Sequence, residues 1–254
     1  MDTPLPLPLR EAERLSALYR YEMLDTPPVK ELDDLVHLAS YICNTPISLI
    51  SLVDSDRQWF KSKVGLTATQ TSRIFAFCAH AILDDNLLIV PDTLADERFK
   101  NNPLVTGDPH IRFYCGAPLI TPEGFRIGTL NVIDHIPREL SAEQLEAIRV
   151  LSRQAMNHMT LDREHRELVQ AVKEQKRAEE DLRASEAKFR ILIESSPSAI
   201  FIYRGDRILY VNQAAALISG YPVEELLTMD MWTMGHPEFL PLSPGGPLLP
   251  ASVL

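Results

Sequence analysis

Apolar positions recur at helical spacing near the start of the chain and alternate further on, which predicts two helices followed by a sheet. The first helix is predicted over residues 11–24. Thr26 is the candidate N-cap of the second helix, and Pro27 suits its first turn. Its predicted core stripe is Leu32, Leu35, Val36, Ala39, Ile42 and Cys43.

From residue 47 onward, short runs rich in β-branched and aromatic residues are separated by turn residues, a pattern typical of strands. The predicted strands are residues 47–53, 57–64, 87–90, 112–119 and 126–133. We also predict a short helix over 77–83 and a long irregular loop over 91–109, where proline, asparagine and glycine are frequent.

A long helix is predicted after the sheet, and its character changes along its length. Ser141 and Gln144 form a capping-box pattern, and the apolar stripe that follows is expected to pack on the sheet. Beyond residue 160, charges of both signs dominate and apolar residues thin out. The predicted seam is Leu161, Leu168, Gln175, Leu182 and Phe189. This weak heptad predicts a two-stranded parallel coiled coil, with a single solvated helix as the alternative.

A second small unit is predicted after the long helix. Two strands over 199–203 and 207–211 are joined by a glycine turn, and Asn212 is a candidate N-cap for a helix over 213–218. A further helical turn is predicted over 223–227. After Phe239 the sequence is rich in proline and glycine, which predicts neither helix nor strand.

Composition and charge narrow the class of protein. The chain has 254 residues, is 45% hydrophobic and carries a formal net charge of −10, which argues against binding nucleic acid or an anionic membrane. No apolar run is long enough to cross a bilayer, and the N-terminus lacks the pattern of a signal peptide. Three cysteines without paired spacing suit free thiols in a reducing compartment. We therefore expect a cytoplasmic protein.

Several motifs of the first unit resemble the GAF family. They are DRQWFKSKVGL (56–66), FCAHAIL (77–83), VPDT (90–93), DERFKNNPLVTG (96–107), IRFYCGAPL (111–119) and IGTLNVID (127–134). The resemblance implies an antiparallel sheet with helices on one face and a ligand-sized pocket under loops on the other. Units of this subtype are similar to those at the front of bacterial sensor histidine kinases and cyclic-dinucleotide enzymes.

Residues 185–227 and 231–239 resemble the first half of a PAS domain. The later strands of that family do not follow, so we expect a fragment whose residues 196–254 are poorly ordered alone. The predicted fold is α+β. Its segments are a disordered N-terminus (1–9), a GAF domain (10–160), a coiled-coil signalling helix (161–190), a partial PAS domain (191–240) and a disordered tail (241–254).

Cys78 and His80 are the residues most suggestive of chemistry, because a thiol near an imidazole could be a nucleophile pair, a metal site or a tetrapyrrole attachment point. Two residues apart on a helix, however, they do not face each other. No second Cys/His cluster would complete a metal site. In bilin-binding relatives of the family, histidine usually follows the cysteine directly, whereas Ala79 intervenes here. We interpret Cys78 as a core residue and His80 as a capped or pocket-rim histidine.

A ligand pocket is the better hypothesis for the first unit. Alternation places Thr129 and Asn131 together on one face of a strand. Arg112 and Tyr114 share a face of a nearby strand, although Arg112 and Asp92 could simply pin the loop by ion pairing. The pocket candidates are Trp59, Phe60, Cys78, His80, Asp92, Arg112, Tyr114, Thr129 and Asn131.

We find no phosphate-binding glycine loop, zinc-protease motif or catalytic triad spacing in the sequence, and we predict no catalytic residues and no metal. The sequence requires no cofactor, and the ligand is unknown. The function we expect is a sensory input module of two-component type. It would bind a small ligand, form a parallel homodimer and relay the signal to a kinase or cyclase output domain. The alternatives are a thiol-based reductase of free methionine sulfoxide and a bilin photoreceptor.

Overall fold

The computed structural model describes residues 7–205 and 207–229, and the chain divides into two compact units between Gln170 and Ala171. The first unit contains a six-stranded antiparallel sheet of strand order β3-β2-β1-β6-β5-β4. Its strands are β1 (Ile47–Val53), β2 (Arg57–Val64), β3 (Gln70–Ser72), β4 (Leu88–Val90), β5 (Phe113–Ile120) and β6 (Arg126–Asp134). The predicted α+β class is confirmed.

Two hydrophobic clusters lie on the two faces of this sheet. The helix face is covered by α1 (Glu11–Arg20), α2 (Lys30–Cys43) and the first part of α5 (Ala142–Glu194). The loop face is covered by α3 (Phe77–Ala81), α4 (Pro103–Thr106) and the segments around them. Alternation in β6 divides the faces as expected, because Leu130 and Val132 join the helix-face cluster while Thr129 and Asn131 point the other way.

The connection between the first two helices differs from the sequence expectation. The first helix ends at Arg20, and the second begins at Lys30 with Val29 as its N-cap. Thr26 does not cap this helix, because its hydroxyl donates to the Met23 carbonyl at 2.7 Å and accepts from Lys61 at 2.6 Å. The two prolines that follow Thr26 favour extended backbone before the helix begins.

Several shorter features were missed or misjudged in the sequence. In the core stripe of α2, Leu35 is only half-buried and Ile42 is exposed, so the apolar face is narrower than predicted. Strand β3 and a 3-10 turn over Arg73–Phe75 were not predicted. The loop over 91–109 contains α4, whose N-cap Asn102 accepts a hydrogen bond from the Leu104 amide at 2.9 Å.

Helix α5 is 53 residues long and begins with the predicted capping box. The Ser141 amide donates to Gln144 Oε1 at 3.0 Å, and the Gln144 amide donates to Ser141 Oγ at 3.3 Å. The buried stripe of its first part is Ile148, Leu151, Ala155, Met156 and Met159. Beyond it the apolar seam lies in solvent, with Leu161 66%, Leu168 63%, Leu182 60% and Phe189 58% exposed. No described helix has a stretch long and apolar enough to span a bilayer.

The second unit contains the hairpin of β7 (Phe201–Arg204) and β8 (Arg207–Val211), followed by α6 (Gln213–Ser219) and α7 (Val223–Leu226). Asn212 is fully buried and caps α6 as predicted, accepting from the Ala215 amide at 3.0 Å. The small hydrophobic core of the second unit consists of Ile208, Val211, Ala215 and Leu226. Most of the predicted disordered N-terminus and the whole predicted tail, residues 241–254, lie outside the described residues. The predicted segment boundaries stay predictions.

Candidate ligand site

A buried polar cluster lies on the loop face of the sheet and is centred on the Cys78 thiol. Thr129 Oγ1 donates to Cys78 Sγ at 3.1 Å, and both Tyr114 Oη and Asn131 Nδ2 approach the sulfur at 3.5 Å. Asn131 Nδ2 also contacts Thr129 Oγ1 at 3.0 Å and Ser51 Oγ at 3.2 Å. The structure therefore brings four of the predicted pocket residues together.

The cluster is closed to solvent, and this shapes its electrostatics. None of its five side chains is more than 2% exposed. Burial raises the pKa of the Cys78 thiol, an effect that exceeds the opposing hydrogen bonds from Thr129 and Tyr114. Burial likewise raises the pKa of Tyr114 well above its usual value. The raised pKa disfavours the thiolate, which is the nucleophilic form, and the sulfur accepts the hydrogen bond from Thr129.

Strand register determines which groups meet in the cluster. Ser51 in β1 lies directly across from Thr129 in β6, which brings its hydroxyl to Asn131. Gly116 lies beneath the Tyr114 side chain, since a Cβ at this position would be 2.3 Å from Tyr114 Oη. Sequence reasoning missed Ser51, although the two serines in β1, Ser48 and Ser51, were an available signal.

One acceptor in this cluster is unsatisfied. Asn131 Oδ1 is buried and has no hydrogen-bond partner within the described residues. A buried carbonyl without a donor costs free energy, and such groups are typically met by an N–H or O–H group. The position therefore suits a small donor brought in from outside the chain.

Asp92 and Arg112 form the ion pair that pins the long loop. Arg112 Nε and Nη2 donate to the two carboxylate oxygens of Asp92 at 3.0 and 2.9 Å. Hydrogen bonding from Arg112 lowers the pKa of Asp92. Both side chains are about one third exposed, at 30% and 31%, and each already has its partner. The arrangement agrees with the loop-pinning alternative.

The remaining pocket candidates lie away from the thiol cluster or at its edge. His80 packs edge-on against Phe99 with ring centroids 4.9 Å apart, and burial lowers its pKa. Phe60 belongs to the loop-face cluster. Trp59, by contrast, packs half-buried against the helix-face cluster, on the opposite side of the sheet from Cys78. Whether any of these residues binds a ligand stays a prediction.

The three cysteines are buried and none of them forms a disulfide bond. Cys43 and Cys115 lie in the helix-face cluster, whereas Cys78 lies in the loop-face cluster. Burial raises the pKa of Cys43 to about 11 and that of Cys115 to about 12. Within the described residues no group of three or more His, Cys, Asp and Glu side chains is placed to hold a metal ion.

A separate groove of about 490 Å³ lies between the end of β5 and helix α5. Its strand wall includes Pro118 and Ile120, and its helix wall includes Arg149 and Arg153. The Ser152 hydroxyl donates to the Pro118 carbonyl at 2.8 Å, and proline has no amide to offer. Strand β4 pairs with β5 only at Tyr114–Gly116, so Pro118 lies on a stretch of β5 that β4 does not cover. This stretch is therefore poorly suited to pairing with another strand.

Comparison with known families agrees with this architecture. The GAF domain family matches residues 27–159, more than half of the chain, and a PAS domain family matches residues 187–249. The chain therefore belongs to the GAF family. It carries GAF and PAS sensory modules of the kind found in signalling proteins.

Among individual proteins, the chain is 42% identical over 144 residues to the cyclic di-GMP phosphodiesterase PA2567 of Pseudomonas aeruginosa. This match covers 57% of the chain but only 24% of that protein's length. The solved structure of free methionine-R-sulfoxide reductase from Neisseria meningitidis is 17% identical with a TM-score of 0.46, covering 65% of this chain and 99% of that one. The GAF domain of an Acinetobacter phosphoenolpyruvate-protein phosphotransferase is 15% identical with a TM-score of 0.45, covering 61% and 95%.

Proposed function

We propose that this chain is a regulatory input module that senses a small ligand through its GAF domain and relays the signal through a dimeric helix. The observation that carries the proposal is the continuity of α5. One helix packs its first part on the GAF sheet and then presents an apolar seam to solvent. An exposed apolar seam in heptad register favours pairing with a second copy.

The polar interruptions of the seam suit a relay that must have two states. Gln175 occupies a seam position, and Ala171 and Ala178 fill companion positions with little apolar area. A coiled coil of this kind is marginally stable, so that a modest difference in ligand affinity between two states could shift it. The polar interruptions thus favour a signalling role over a purely structural one.

The ligand we propose is small and carries an N–H or O–H donor that can meet Asn131 Oδ1. It would bind where Cys78, Tyr114 and Thr129 now close the cluster, so access requires movement of the covering segments. The unsatisfied acceptor and the hydrogen-bonding groups around it support such a ligand.

The output domain is proposed from the relatives. PA2567 is a cyclic di-GMP phosphodiesterase, and we propose that this chain regulates either a cyclic-dinucleotide enzyme or a sensor histidine kinase. The free thiols support a reducing, cytoplasmic compartment. A paired-thiol reductase is disfavoured because Cys78 and Cys115 lie on opposite faces of the sheet. No observation in the described structure favours a bilin photoreceptor.

The coiled coil is tested by replacing Gln175 with leucine in the full chain. Burying an additional leucine at the seam stabilises the dimer by about 1.5–3 kcal/mol, which tightens the dimer dissociation constant roughly tenfold to a hundredfold. Sedimentation equilibrium measures the dissociation constant.

The matched control for this test is Lys173→Leu, which adds the same side chain on the side of the helix away from the seam. We expect Lys173→Leu to leave the dissociation constant within about twofold of the parent. An unchanged dissociation constant for Gln175→Leu, or equal effects of the two substitutions, would refute the proposed seam.

A further inference from the structure

We propose that α1 is a coupling element that connects the loop face of the GAF domain to the outgoing part of α5. This inference rests on the proposed function and identifies how the ligand site would act on the relay helix. Helix α1 lies before the GAF match at residues 27–159, and its target on α5 lies just after it.

Tyr21, which follows the last residue of α1, makes three contacts with one stripe of α5. Its side chain is fully buried, and its hydroxyl is 3.2 Å from Thr160 Oγ1. The Arg163 guanidinium stacks on the Tyr21 ring at 4.8 Å from the centroid. Arg166 Nη2 donates to the Tyr21 carbonyl at 2.6 Å. We call these contacts the Tyr21 clamp.

The clamp determines the direction in which the seam faces. Thr160, Arg163 and Arg166 are three residues apart and share one face of the helix. At about 100° per residue, Leu161 and Leu168 point roughly 150° away from the centre of that face. A rotation of α5 within the clamp would therefore turn the seam toward or away from a partner helix.

The other end of α1 is attached to the segment that leads into the ligand cluster. Glu11 Oε1 accepts hydrogen bonds from Arg14 Nη2 at 2.7 Å and from Arg73 Nη1 at 2.6 Å. The two guanidinium groups are buried, with side chains 2% and 3% exposed. Arg73 begins the 3-10 turn that runs into α3, which carries Cys78.

Arg73 is tied to α1 through Glu11 and to the turn between β1 and β2 through the Asp54 carbonyl. Arg73 Nε and Nη2 are buried without a hydrogen-bond partner in the described part of the chain, and Nη1 donates to Glu11 Oε1 at 2.6 Å and to the Asp54 carbonyl at 2.8 Å. Charge-assisted hydrogen bonds between buried groups are strong and directional. A shift of the 3-10 turn and α3 on ligand binding would therefore move α1, and α1 would carry the shift to the Tyr21 clamp.

The test is hydrogen–deuterium exchange on the full chain carrying Glu11→Gln, with Glu13→Gln as the matched control. Glu13 lies on the same helix and pairs with Arg10 at the surface. We expect Glu11→Gln, which keeps an acceptor but removes the charge, to speed amide exchange over residues 161–168 roughly three- to tenfold, the range for the net contribution of one ordinary hydrogen bond, and Glu13→Gln to leave it unchanged. Equal effects of the two substitutions, or an effect of Glu11→Gln confined to residues near Arg14 and Arg73, would overturn the proposal.

A milder variant, Tyr21→Phe, keeps the test decisive if Glu11→Gln does not fold. It removes the hydroxyl contact to Thr160 while keeping the ring beneath Arg163. Because coupling is reciprocal, we expect faster exchange over residues 161–168 and also over 73–78. Faster exchange over 161–168 alone would overturn the coupling. The seam test with Gln175→Leu does not depend on α1, so failure of one inference leaves the other measurable.

Discussion

The two faces of the GAF sheet are built from the same strands but by different chemistry. On the helix face, Leu130 and Val132 of β6 and Cys115 of β5 pack into an apolar core with α1, α2 and α5. On the loop face, Thr129 and Asn131 of the same strand join Cys78 in a hydrogen-bonded cluster.

The difference between the faces separates stability from function. Apolar packing is non-directional and tolerates little loss of volume. A buried polar cluster contributes less net stability but fixes specific geometry, and it is costly wherever a group is left unpaired. We therefore expect truncations in the apolar core of the helix face to cost more stability than truncations in the polar cluster of the loop face.

The largest expected effect comes from truncating neighbouring residues of β6 on opposite faces. Leu130→Ala should lower the free energy of unfolding by about 2–5 kcal/mol, because it leaves a cavity in the apolar core. Thr129→Ala should lower it by about 1–3 kcal/mol, the cost of leaving polar partners unsatisfied. Urea denaturation measures both values, and a larger loss for Thr129→Ala than for Leu130→Ala would contradict the division.

The cysteines allow a finer test, because serine and alanine variants should differ in stability in opposite directions on the two faces. At Cys78, serine keeps an acceptor for the surrounding donors, so Cys78→Ser should be more stable than Cys78→Ala by about 1 kcal/mol. At Cys115, serine buries a hydroxyl in an apolar core, so Cys115→Ser should be less stable than Cys115→Ala by about 1–3 kcal/mol. Thermal unfolding of the four variants gives both rankings, and the same order at both sites would refute the contrast.

The smallest expected effect concerns the charged contact of α1. Burial alone would raise the pKa of Glu11, but hydrogen bonds from Arg14 and Arg73 outweigh it, and the pKa is lowered below its ordinary value of 4.5. A carboxyl whose pKa is lower in the folded than in the unfolded protein stabilises the fold at any pH above its unfolded pKa. This contribution to stability is lost as the pH falls through the pKa of the folded protein. In the Glu11→Gln variant, the free energy of unfolding should therefore fall less steeply than in the parent as the pH is lowered. Urea denaturation at a series of pH values measures this slope. A curve parallel to that of the parent below pH 4.5 would contradict this prediction.

Local sequence patterns predicted much of this architecture. Alternation in β6 assigned Thr129 and Asn131 to one face, and the capping residues Ser141, Gln144 and Asn212 act as expected. These features depend on neighbours in the chain, and so a local pattern is sufficient to find them.

Features that depend on contacts between distant segments were not predicted. The pairing of Ser51 with Thr129 depends on strand register, and the contact of Arg73 with Glu11 joins residues 62 positions apart. Trp59 was named as a pocket candidate but lies on the helix face, where it pairs with Leu52 of β1, while its neighbour Phe60 lies on the loop face. Alternation puts Trp59 and Phe60 on opposite faces, but which of the two faces the helices depends on pairing with β1, which the local pattern does not contain.

The uninterrupted length of α5 has a consequence for how such proteins can be rearranged. A helix without a break conserves angular phase, so the direction of any side chain at its far end is fixed by the number of residues before it. Inserting or deleting seven residues would change the phase by only about 20°, whereas one residue would change it by about 100°. An apolar seam on α5 would therefore keep its direction after a change of seven residues and lose it after a change of one.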